Sequence, residues 1–401
     1  MQDARSTNQE PASRKGSNTA AIISAFRVAH GLDPQVFFAP GRINLIGEHT
    51  DYTGGFVLPA AIQFGTWIAA HARADRVVRV HSATQNETVE IRLDVEPRQA
   101  RKHWSDYAAG VVWALQVQHR ELQLCGAELL IHNDVPLGAG LSSSASMEVC
   151  VALALLGVAG LELGTLDIAV ACQRAENEFA GARCGIMDQF IATHARPDHA
   201  VLLDCDSLES RVIPLARTHR WIVANTGVRH ALAGGEYNQR RAECEEVLAQ
   251  MARQYPQRRL VRKLQRHEQA VLAALLSPKA ARRLAHLCSE NRRVGEMVEA
   301  LERREMTRAG ELLLASHASL RDDFEVSCTE LDLMIAVARR QPGVLGARMM
   351  GGGFGGCTLT LVESEASERV IQAMRRDYRA GTGIGPEIFA AQFCGAAGKA
   401  G

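Results

Sequence analysis

Two carboxylates, an imidazole and a guanidinium lie close together near the start of the chain. Arg42, Glu48, His49 and Asp51 belong to one segment, residues 40–55, with the sequence PGRINLIGEHTDYTGG. A tight hairpin needs only a few turn residues, and this set of side chains exceeds that need. The segment is either a solvated surface turn, since polar loops are usually exposed, or the polar floor of a pocket that hydrogen-bonds a hydroxyl-rich ligand. Apolar runs on both sides predict that strands hold it in place.

A loop rich in glycine and serine occupies residues 136–147, PLGAGLSSSASM. The pattern predicts a strand before it, over residues 127–133, and a long apolar helix after it, over residues 142–157. The free N–H groups and the dipole of a helix N-terminus favour a bound anion such as a phosphate. The loop is not a Walker A motif, because no Gly-Lys-Ser/Thr follows at the required spacing. The alternative is a loop whose serines only cap the helix, although three consecutive serines exceed what one cap requires.

Two more acidic residues stand in apolar surroundings. Glu176 lies near the end of a predicted helix over residues 166–179, and Asp188 follows a glycine in GIMDQF, residues 185–190. The neighbours of Asp188 predict a carboxylate that emerges at a buried or half-buried place. A helix N-cap or a salt bridge is at least as common for such an aspartate as a catalytic role.

A run of glycines, GGGFGG, fills residues 351–356 between two predicted strands, residues 344–350 and 357–362. The run satisfies the pattern GxGxxG, but a dinucleotide-binding fingerprint needs a helix after the glycines. Glycines between two strands instead allow the backbone to approach a neighbouring element or a ligand closely.

The composition excludes several classes of function. The 401 residues include 45 Lys plus Arg and 45 Asp plus Glu, so no net charge attracts nucleic acid or an anionic membrane. The arginine-rich helical stretch over residues 251–312 also carries glutamates, and we interpret it as a solvated helical face. The ten cysteines are scattered and form no CxxC pair, which favours reduced thiols in a cytoplasmic protein.

The length of the chain favours two or three domains. Residues 1–19 lack the apolar region of a secretory signal, and we predict that they form a disordered tail. The longest apolar run, residues 149–161, is shorter than the roughly 18 residues that suggest a membrane span. We predict an N-terminal domain over residues 20–212 and a C-terminal domain over residues 213–395, followed by a loose tail.

Three segments together resemble a known family. Residues 40–55, 136–147 and 351–357 resemble the three motifs of the GHMP small-molecule kinases, in the same order along the chain. GEHTDY resembles the signature of the galactokinases within that family, and RAENEFAGARCGIMDQF and HASLRDDFEVSC also resemble galactokinase segments. The resemblance implies an α+β fold with a ribosomal S5 domain 2-like N-terminal domain and a GHMP C-terminal domain, between which ATP and sugar meet. It implies transfer of the ATP γ-phosphoryl group to the C1 hydroxyl of D-galactose, the first committed step of galactose catabolism.

The resemblance also implies roles for individual residues. Asp188 would face the attacking hydroxyl, and Arg42 would lie beside both Asp188 and the transferring phosphoryl group. Ser144 and Glu176 would hold Mg²⁺, an ion that prefers oxygen ligands. The implied sugar site consists of Glu48, His49, Thr50, Asp51, Gly185 and Tyr237. The implied ATP site consists of Ser82, Gly138, Ala139, Gly140, Leu141, Ser142, Ser143 and Ser144.

Two alternatives stay open. A kinase of the same family could act on a related sugar such as N-acetylgalactosamine or arabinose, because the sequence does not give the size of the pocket. A galactose sensor with the same fold and no catalysis would be expected to lose part of the phosphate loop, whereas SSSAS at residues 142–146 is intact. The expected partners are a sugar and ATP, with no nucleic acid and no membrane, and the expected state is a cytoplasmic monomer.

Overall fold

Helices and sheets are mixed in both halves of the chain. The computed structural model describes residues 11–95, 102–136, 139–229 and 233–400. The first half contains α1 (Pro11–His30), β1 (Gln35–Asn44), β2 (Phe56–Val57), β3 (Pro59–Arg73), β4 (Val77–Ser82), β5 (Glu87–Arg92), α2 (Ser105–Gln118), β6 (Gly126–Asn133), α3 (Ser143–Val158), α4 (Thr165–Arg174), α5 (Met187–His194), β7 (His199–Asp204) and β8 (Ser210–Pro214). The second half contains β9 (His219–Arg229), α6 (Ala233–Gln254), α7 (Arg266–Ala274), α8 (Pro278–Glu302), α9 (Met306–Asp322), α10 (Thr329–Arg339), β10 (Val344–Met350), β11 (Gly355–Glu363), α11 (Ser367–Thr382), β12 (Glu387–Ala390) and β13 (Gly398–Lys399). The predicted α+β class is confirmed.

The largest sheet has the strand order β13-β1-β3-β6-β4-β5. Strands β1 and β3 are buried along most of their length, because α3 packs on them and Phe26 of α1 packs against Phe38 and Trp67. Burial on both faces explains why these strands read as continuous apolar runs rather than alternating ones. The second half has a four-stranded sheet, β10-β11-β9-β12, and a small sheet, β2-β7-β8, completes the first half.

One apolar cluster crosses from the first half to the second. Ile43 and Leu45, at the end of β1, belong to the same buried cluster as Val294 of α8 and Leu359 of β11. A fully buried aliphatic side chain contributes roughly 1.5–3 kcal/mol to stability. The cluster therefore holds the end of β1, and the polar segment that follows it, against the second half.

The predicted strands around the glycine run are confirmed. Residues 344–350 form β10 and residues 357–362 lie within β11, and these two strands pair antiparallel. The strand predicted over residues 127–133 is β6. The glycine run therefore joins two strands, as expected, and does not open a helix.

The predicted disordered tail is wrong for residues 11–19, which form the first part of α1. Residues 1–10 lie outside the described part of the chain. This portion of α1 is polar, so it has none of the apolar periodicity on which a helix prediction depends. Asn18 holds it to the sheet, because its side-chain amide donates to Asp134 Oδ2 at 3.0 Å.

The chain enters its second half after β8 and returns to the large sheet of the first half at β13. The predicted domain limit at residues 212 and 213 falls inside β8, and the domain limits stay a prediction. The second passage brings β13 back to the first sheet, where Lys399 lies opposite Phe37. The expected loose tail after residue 395 is therefore wrong, and the N–H of Ala400 donates to Val36 O at 2.8 Å.

The helix predicted over residues 166–179 consists of two different elements. Helix α4 ends at Arg174, and Ala175–Ala180 form a π-helical turn that ends at Gly181. Turns of this kind are frequent at functional sites, and this one contains Glu176. Apolar periodicity does not distinguish it from a regular helical turn.

Within the described ranges, no helix is long and apolar enough to cross a membrane. All ten cysteines are free thiols, in agreement with the expected absence of a disulfide framework.

Candidate active site

Arg42 and Asp188 form an ion pair with two parallel hydrogen bonds. The Nε of Arg42 donates to Asp188 Oδ1 at 2.7 Å, and its Nη2 donates to Oδ2 at 2.8 Å. Arg42 is buried near the end of β1, whereas Asp188 is half-buried in the first turn of α5. Burial lowers the pKa of Arg42, but the charges of Asp188, Glu48 and Asp51 together outweigh burial and raise it. The guanidinium is therefore charged at neutral pH, and such paired geometry is the strongest form of charge-assisted hydrogen bonding.

The glycine- and serine-rich loop of residues 136–147, called the serine loop below, is hydrogen-bonded to the same ion pair. Arg42 Nη1 donates to Gly140 O at 2.6 Å, and the backbone N–H of Arg42 donates to Leu141 O at 3.1 Å. The hydroxyl of Ser142 donates to Asp188 Oδ2, and its side chain makes no cap bond to the described start of α3. The φ of Ser142 is 60°, a left-handed conformation that costs a non-glycine residue roughly 1–2 kcal/mol. The interpretation of Ser142 as a simple helix cap is therefore wrong.

A cavity of about 460 Å³ opens in front of this loop. The predicted ATP-site residues that line it are Ser82, Ala139, Gly140, Leu141, Ser142, Ser143 and Ser144. It is completed by Arg42 and Asp188 and by Thr84, Gln85, Trp104, Tyr107, Asn133 and Met147, among others. Gly138 lies outside the described residues. A glycine-serine loop at a helix N-terminus beside one guanidinium is suited to a polyphosphate, and aromatic walls are suited to a nucleoside.

The glycine run of the second half forms one side of this cavity. Gly351 and Gly352 line it, and a Cβ added to Gly351 would lie 3.7 Å from Gly140 O. The run thus brings the second half of the chain close to the serine loop, as expected from its glycines.

Glu176 is buried, and the Ser144 side chain lies close to its carboxylate. Burial, then the charge of Asp188, raises the pKa of Glu176, and a nearby cation would oppose both effects. A hydroxyl and a carboxylate are the oxygen donors that Mg²⁺ prefers, so the two residues fit this ion. The described residues contain no group of three metal-ligating side chains. An ion here would take its remaining ligands from phosphate oxygens and water.

Gln189 joins Glu176 to another carboxyl group, Glu148. Its Nε2 donates to Glu176 Oε2 at 2.6 Å and to Glu148 Oε2 at 3.0 Å. Gln189 and Glu148 are both fully buried. Burial, followed by the charge of Glu176, raises the pKa of Glu148 well above its ordinary value and favours its protonated form.

Glu48 turns its carboxylate toward the second half of the chain. Its Oε2 accepts from Asn44 Nδ2 at 2.8 Å, and its Oε1 accepts from the backbone N–H of Gly351 at 2.8 Å. Oε1 also lies 3.1 Å from Nη2 of the fully buried Arg348. Each carboxylate oxygen can accept two hydrogen bonds, and Asn44 is the one described side chain that donates to Oε2.

His49 is a buried, neutral imidazole among aromatic rings. Its Nδ1 lies 3.0 Å from the Tyr52 hydroxyl, and its ring centroid lies 4.6 Å from Phe324 and 5.7 Å from Tyr237. Burial, followed by the charge of His286, lowers the pKa of His49 to about 3. A neutral ring has one donor and one acceptor nitrogen, which is suitable for orienting a hydroxyl group.

Asp51 lies directly against the backbone of Gly185. A Cβ added to Gly185 would be 2.2 Å from Asp51 Oδ2, so only glycine permits this approach. Burial, then the charge of Asp188, raises the pKa of Asp51 to about 6. Tyr237 closes the same region, since a Cβ added to Gly352 would lie 3.2 Å from its ring.

Thr50 differs from the other predicted sugar-site residues. It is fully buried, and its Oγ1 lies 2.8 Å from the carbonyl oxygens of Gly47 and Phe56. Its own carbonyl oxygen accepts from the N–H of Gly55 at 2.8 Å. These contacts stabilise the turn and leave the side chain no surface on which a ligand could bind.

Several residues at the site have no local signal in the sequence. Trp104 and Tyr107 line the cavity, but single aromatic residues just before or within the first turn of a helix are common in ordinary hydrophobic cores. Gln189 looks like any polar helix residue. Arg348 offers a weak signal, because a single arginine interrupts the apolar strand β10.

A larger cavity of about 670 Å³ lies elsewhere, lined by residues that include Phe38, Trp67, Arg217 and Phe393. None of its described lining residues belongs to the predicted site. The smaller cavity is the candidate active site, because the ion pair of Arg42 and Asp188 and the serine loop both line it.

Three family models match successive parts of the chain. The galactokinase galactose-binding signature matches residues 24–72, the N-terminal domain of the GHMP kinases matches residues 106–196, and the GHMP kinase C-terminal model matches residues 297–380. The predicted two-domain GHMP kinase fold is therefore confirmed.

Individual relatives match over nearly the whole chain. The chain is 42% identical to a galactokinase of Chloroflexus aggregans, covering 91% of this chain and 93% of that protein. It is 41% identical to a galactokinase of Haemophilus influenzae, covering 86% and 90%. The solved structure of Lactococcus lactis galactokinase complexed with galactose is 35% identical, covers 95% of this chain and 100% of that one, and superposes with a TM-score of 0.91. The chain belongs to the galactokinase family of the GHMP kinases.

Proposed function

We propose that this chain transfers the γ-phosphoryl group of ATP to the C1 hydroxyl of D-galactose and releases α-D-galactose 1-phosphate and ADP. The proposal depends above all on the ion pair of Arg42 and Asp188. This pair stands between the cavity at the serine loop and the polar residues of the GEHTDY segment. The likeness to a galactokinase solved with galactose supports galactose as the acceptor.

ATP binds in the 460 Å³ cavity in this proposal. The loop from Ala139 to Ser144 holds the phosphates with backbone N–H groups and hydroxyls. Ser82, Trp104 and Tyr107 line the cavity as well and accommodate the nucleoside. We also infer that Mg²⁺ accompanies the nucleotide, held by Ser144 and Glu176, and that it neutralises charge on the phosphates. Gln189 keeps the Glu176 carboxylate in place.

The sugar lies on the other side of the ion pair. Glu48, His49, Asp51 and Tyr237 supply hydrogen-bonding groups for its hydroxyls, and Gly185 leaves room for Asp51. Buried polar groups that go unpaired are costly, so such a site rejects sugars that lack a matching hydroxyl.

Asp188 accepts the proton of the C1 hydroxyl in the reaction. The C1 oxygen forms a bond to the γ-phosphorus while the bond from that phosphorus to the bridging oxygen of ADP breaks. Arg42 orients the Asp188 carboxylate through two hydrogen bonds and stabilises the charge on the transferring phosphoryl group. Catalysis by positioning and charge neutralisation is typical of phosphoryl transfer.

The test is ADP release by the purified chain with ATP, Mg²⁺ and a panel of sugars. We expect galactose to give the highest kcat/KM and a product phosphorylated at C1. A higher kcat/KM with N-acetylgalactosamine or arabinose would instead identify a kinase for a related sugar. Galactose binding without ADP release, in a folded protein, would identify a sensor and contradict the proposed activity.

A further inference from the structure

The GEHTDY segment, residues 47–52, is held from outside by side chains of the second half of the chain. We propose that Glu290 of α8 is the positioning residue that sets the shape of this segment for sugar binding. The inference rests on the proposed role of the segment as the sugar site. Glu290 itself does not touch the sugar, and it acts through the backbone of Gly47 and Glu48.

Glu290 gathers several donors on one carboxylate. Its Oε1 accepts from the backbone N–H of Gly47 at 3.0 Å and from that of Glu48 at 3.4 Å. The same oxygen accepts from the Ser316 hydroxyl at 2.7 Å. The Oε2 accepts from Arg293 Nε at 2.7 Å. Two successive backbone N–H groups that converge on one oxygen form an anion-binding nest, and here a side chain of the same molecule fills it.

The Glu290 carboxylate is ionised although it is fully buried. Burial alone would raise its pKa, but Arg293, followed by His286 and Arg348, lowers it to about 2. Removing the partner of a buried charge is strongly destabilising, so the carboxylate holds its donors firmly. The position of the loop backbone at residues 47 and 48 is therefore fixed by a charge on α8.

Neighbouring side chains of the second half also hold the segment and the backbone on either side of it. His286 Nε2 lies 3.1 Å from Glu48 O, and Arg348 Nη1 donates to Leu45 O at 3.0 Å. Asn291 Oδ1 accepts from the N–H of Phe56 at 2.8 Å. The segment has little freedom to adjust, because a Cβ added to Gly47 would lie only 2.7 Å from Phe56 O. The direction of the Glu48 carboxylate and of the His49 ring follows from this backbone.

Loss of the Glu290 carboxylate should weaken sugar binding far more than nucleotide binding. Without it, the N–H groups of Gly47 and Glu48 lose their acceptor, and the groups that we assign to the sugar shift relative to Asp188. None of the described residues that line the 460 Å³ cavity bonds to Glu290. The shift reaches the nucleotide site only through the hydrogen bond from Gly351 to Glu48, so most contacts of that site remain.

The experiment compares Glu290→Met and Glu290→Gln with a matched control, Glu268→Met. Glu268 is also a buried glutamate of the second half, and its Oε2 accepts from the backbone N–H of Gln265 at 2.7 Å while Arg258 lies 3.3 Å away. It caps α7 and makes no described contact with the GEHTDY segment. Each variant is assayed for the KM of galactose, the KM of ATP and kcat. Galactose affinity is also measured by calorimetry, and folding by circular dichroism.

We expect Glu290→Met to raise the galactose KM and Kd at least tenfold and to change the ATP KM by less than twofold. Glu290→Gln keeps an oxygen that can accept from Gly47 and Glu48, so it should restore most of the galactose affinity. If the Met variant does not fold, Glu290→Asp takes its place: it keeps the buried charge but shortens the side chain, so it should still raise the galactose Kd. Glu268→Met should lower the melting temperature and leave both KM values within twofold of the wild type.

Two results would overturn the inference. One is wild-type galactose affinity in folded Glu290→Met, or in Glu290→Asp if the Met variant does not fold. The other is an equal loss of galactose affinity in Glu268→Met. Failure of the proposed function is a separate result, since the wild-type chain itself would then release no ADP with galactose.

Discussion

Arg42 and Asp188 are 146 positions apart in the sequence, yet two parallel hydrogen bonds join their side chains. The pair connects the first strand of the large sheet to the first turn of α5, at the place where the serine loop ends. Arg42 also donates to Gly140 O, and Ser142 donates to Asp188. A shift of either side chain would therefore disturb both the serine loop and the proposed sugar site.

Asp188→Asn removes the proposed proton acceptor and keeps the size of the side chain. We expect kcat to fall by about 10²–10⁴-fold, the usual contribution of a positioned acid or base, with folding and galactose binding retained. Initial rates of ADP release and calorimetry with galactose measure both effects. Asp198→Asn is the control, because Asp198 pairs only with the exposed Arg217 among the described residues. A rate above a tenth of the wild type in Asp188→Asn would remove Asp188 from the mechanism.

Glu176→Gln should weaken divalent-cation binding by about tenfold or more, since the site loses its charged oxygen donor. The measurement is Mn²⁺ binding in the presence of ATP, followed by electron paramagnetic resonance, together with the Mg²⁺ dependence of the rate. Glu178→Gln is a close control, because Glu178 lies in the same turn but forms an exposed pair with Arg174. Unchanged Mn²⁺ affinity in Glu176→Gln would contradict the assignment.

Asp51 makes the stability of the protein depend on pH. Its pKa is about 6 in the folded chain, compared with 3.8 for a free carboxyl group. The folded state therefore binds this proton more tightly than the unfolded state, and the free energy of unfolding falls as the pH rises from 4 to 6. At pH 7 the ionised carboxylate costs on the order of 1–3 kcal/mol.

Asp51→Asn removes this cost. We expect the variant to have a higher free energy of unfolding than the wild type at pH 7, and the difference to vanish near pH 4. Urea unfolding at both pH values measures it. The same variant should show a raised galactose KM, because Asn cannot offer two acceptor oxygens. A variant that is less stable than the wild type at pH 7 would show that Asp51 stabilises the fold instead.

Gly185→Ala tests the close approach between Gly185 and Asp51. The new Cβ would occupy space 2.2 Å from Asp51 Oδ2, so Asp51 must move, and we expect the galactose KM to rise tenfold or more. Gly235→Ala is the control: nothing lies within 4 Å of its added Cβ, and alanine favours the helix there by up to about 1 kcal/mol. If both variants have the wild-type galactose KM, the contact does not matter for sugar binding.

The sequence is sufficient to locate the reacting groups, but it does not predict most of the contacts that hold them in place. Arg42, Glu48 and Asp188 lie in segments whose composition already exceeds the needs of a turn or a cap. Ser142 shows the limit of local rules, because its hydroxyl bonds to Asp188 rather than to α3. Gln189 and Glu290 were not predictable, since their partners are brought to them only by the folded chain and neither residue stands out from its neighbours.

The contacts around the GEHTDY segment also determine when this segment can fold during synthesis of the chain. Gly47 precedes Glu290 by 243 positions, and Leu45 precedes Arg348 by 303. A ribosome translates the segment long before it reaches these partners, and contacts between such distant positions form late in folding. A nascent chain that ends after β8 would leave Ile43 and Leu45 without Val294 and Leu359, their cluster partners in the second half. The GEHTDY segment is thus expected to reach its final conformation only after most of the protein has left the ribosome. Until then Ile43 and Leu45 lack these partners, and we expect chaperones to bind such exposed apolar side chains.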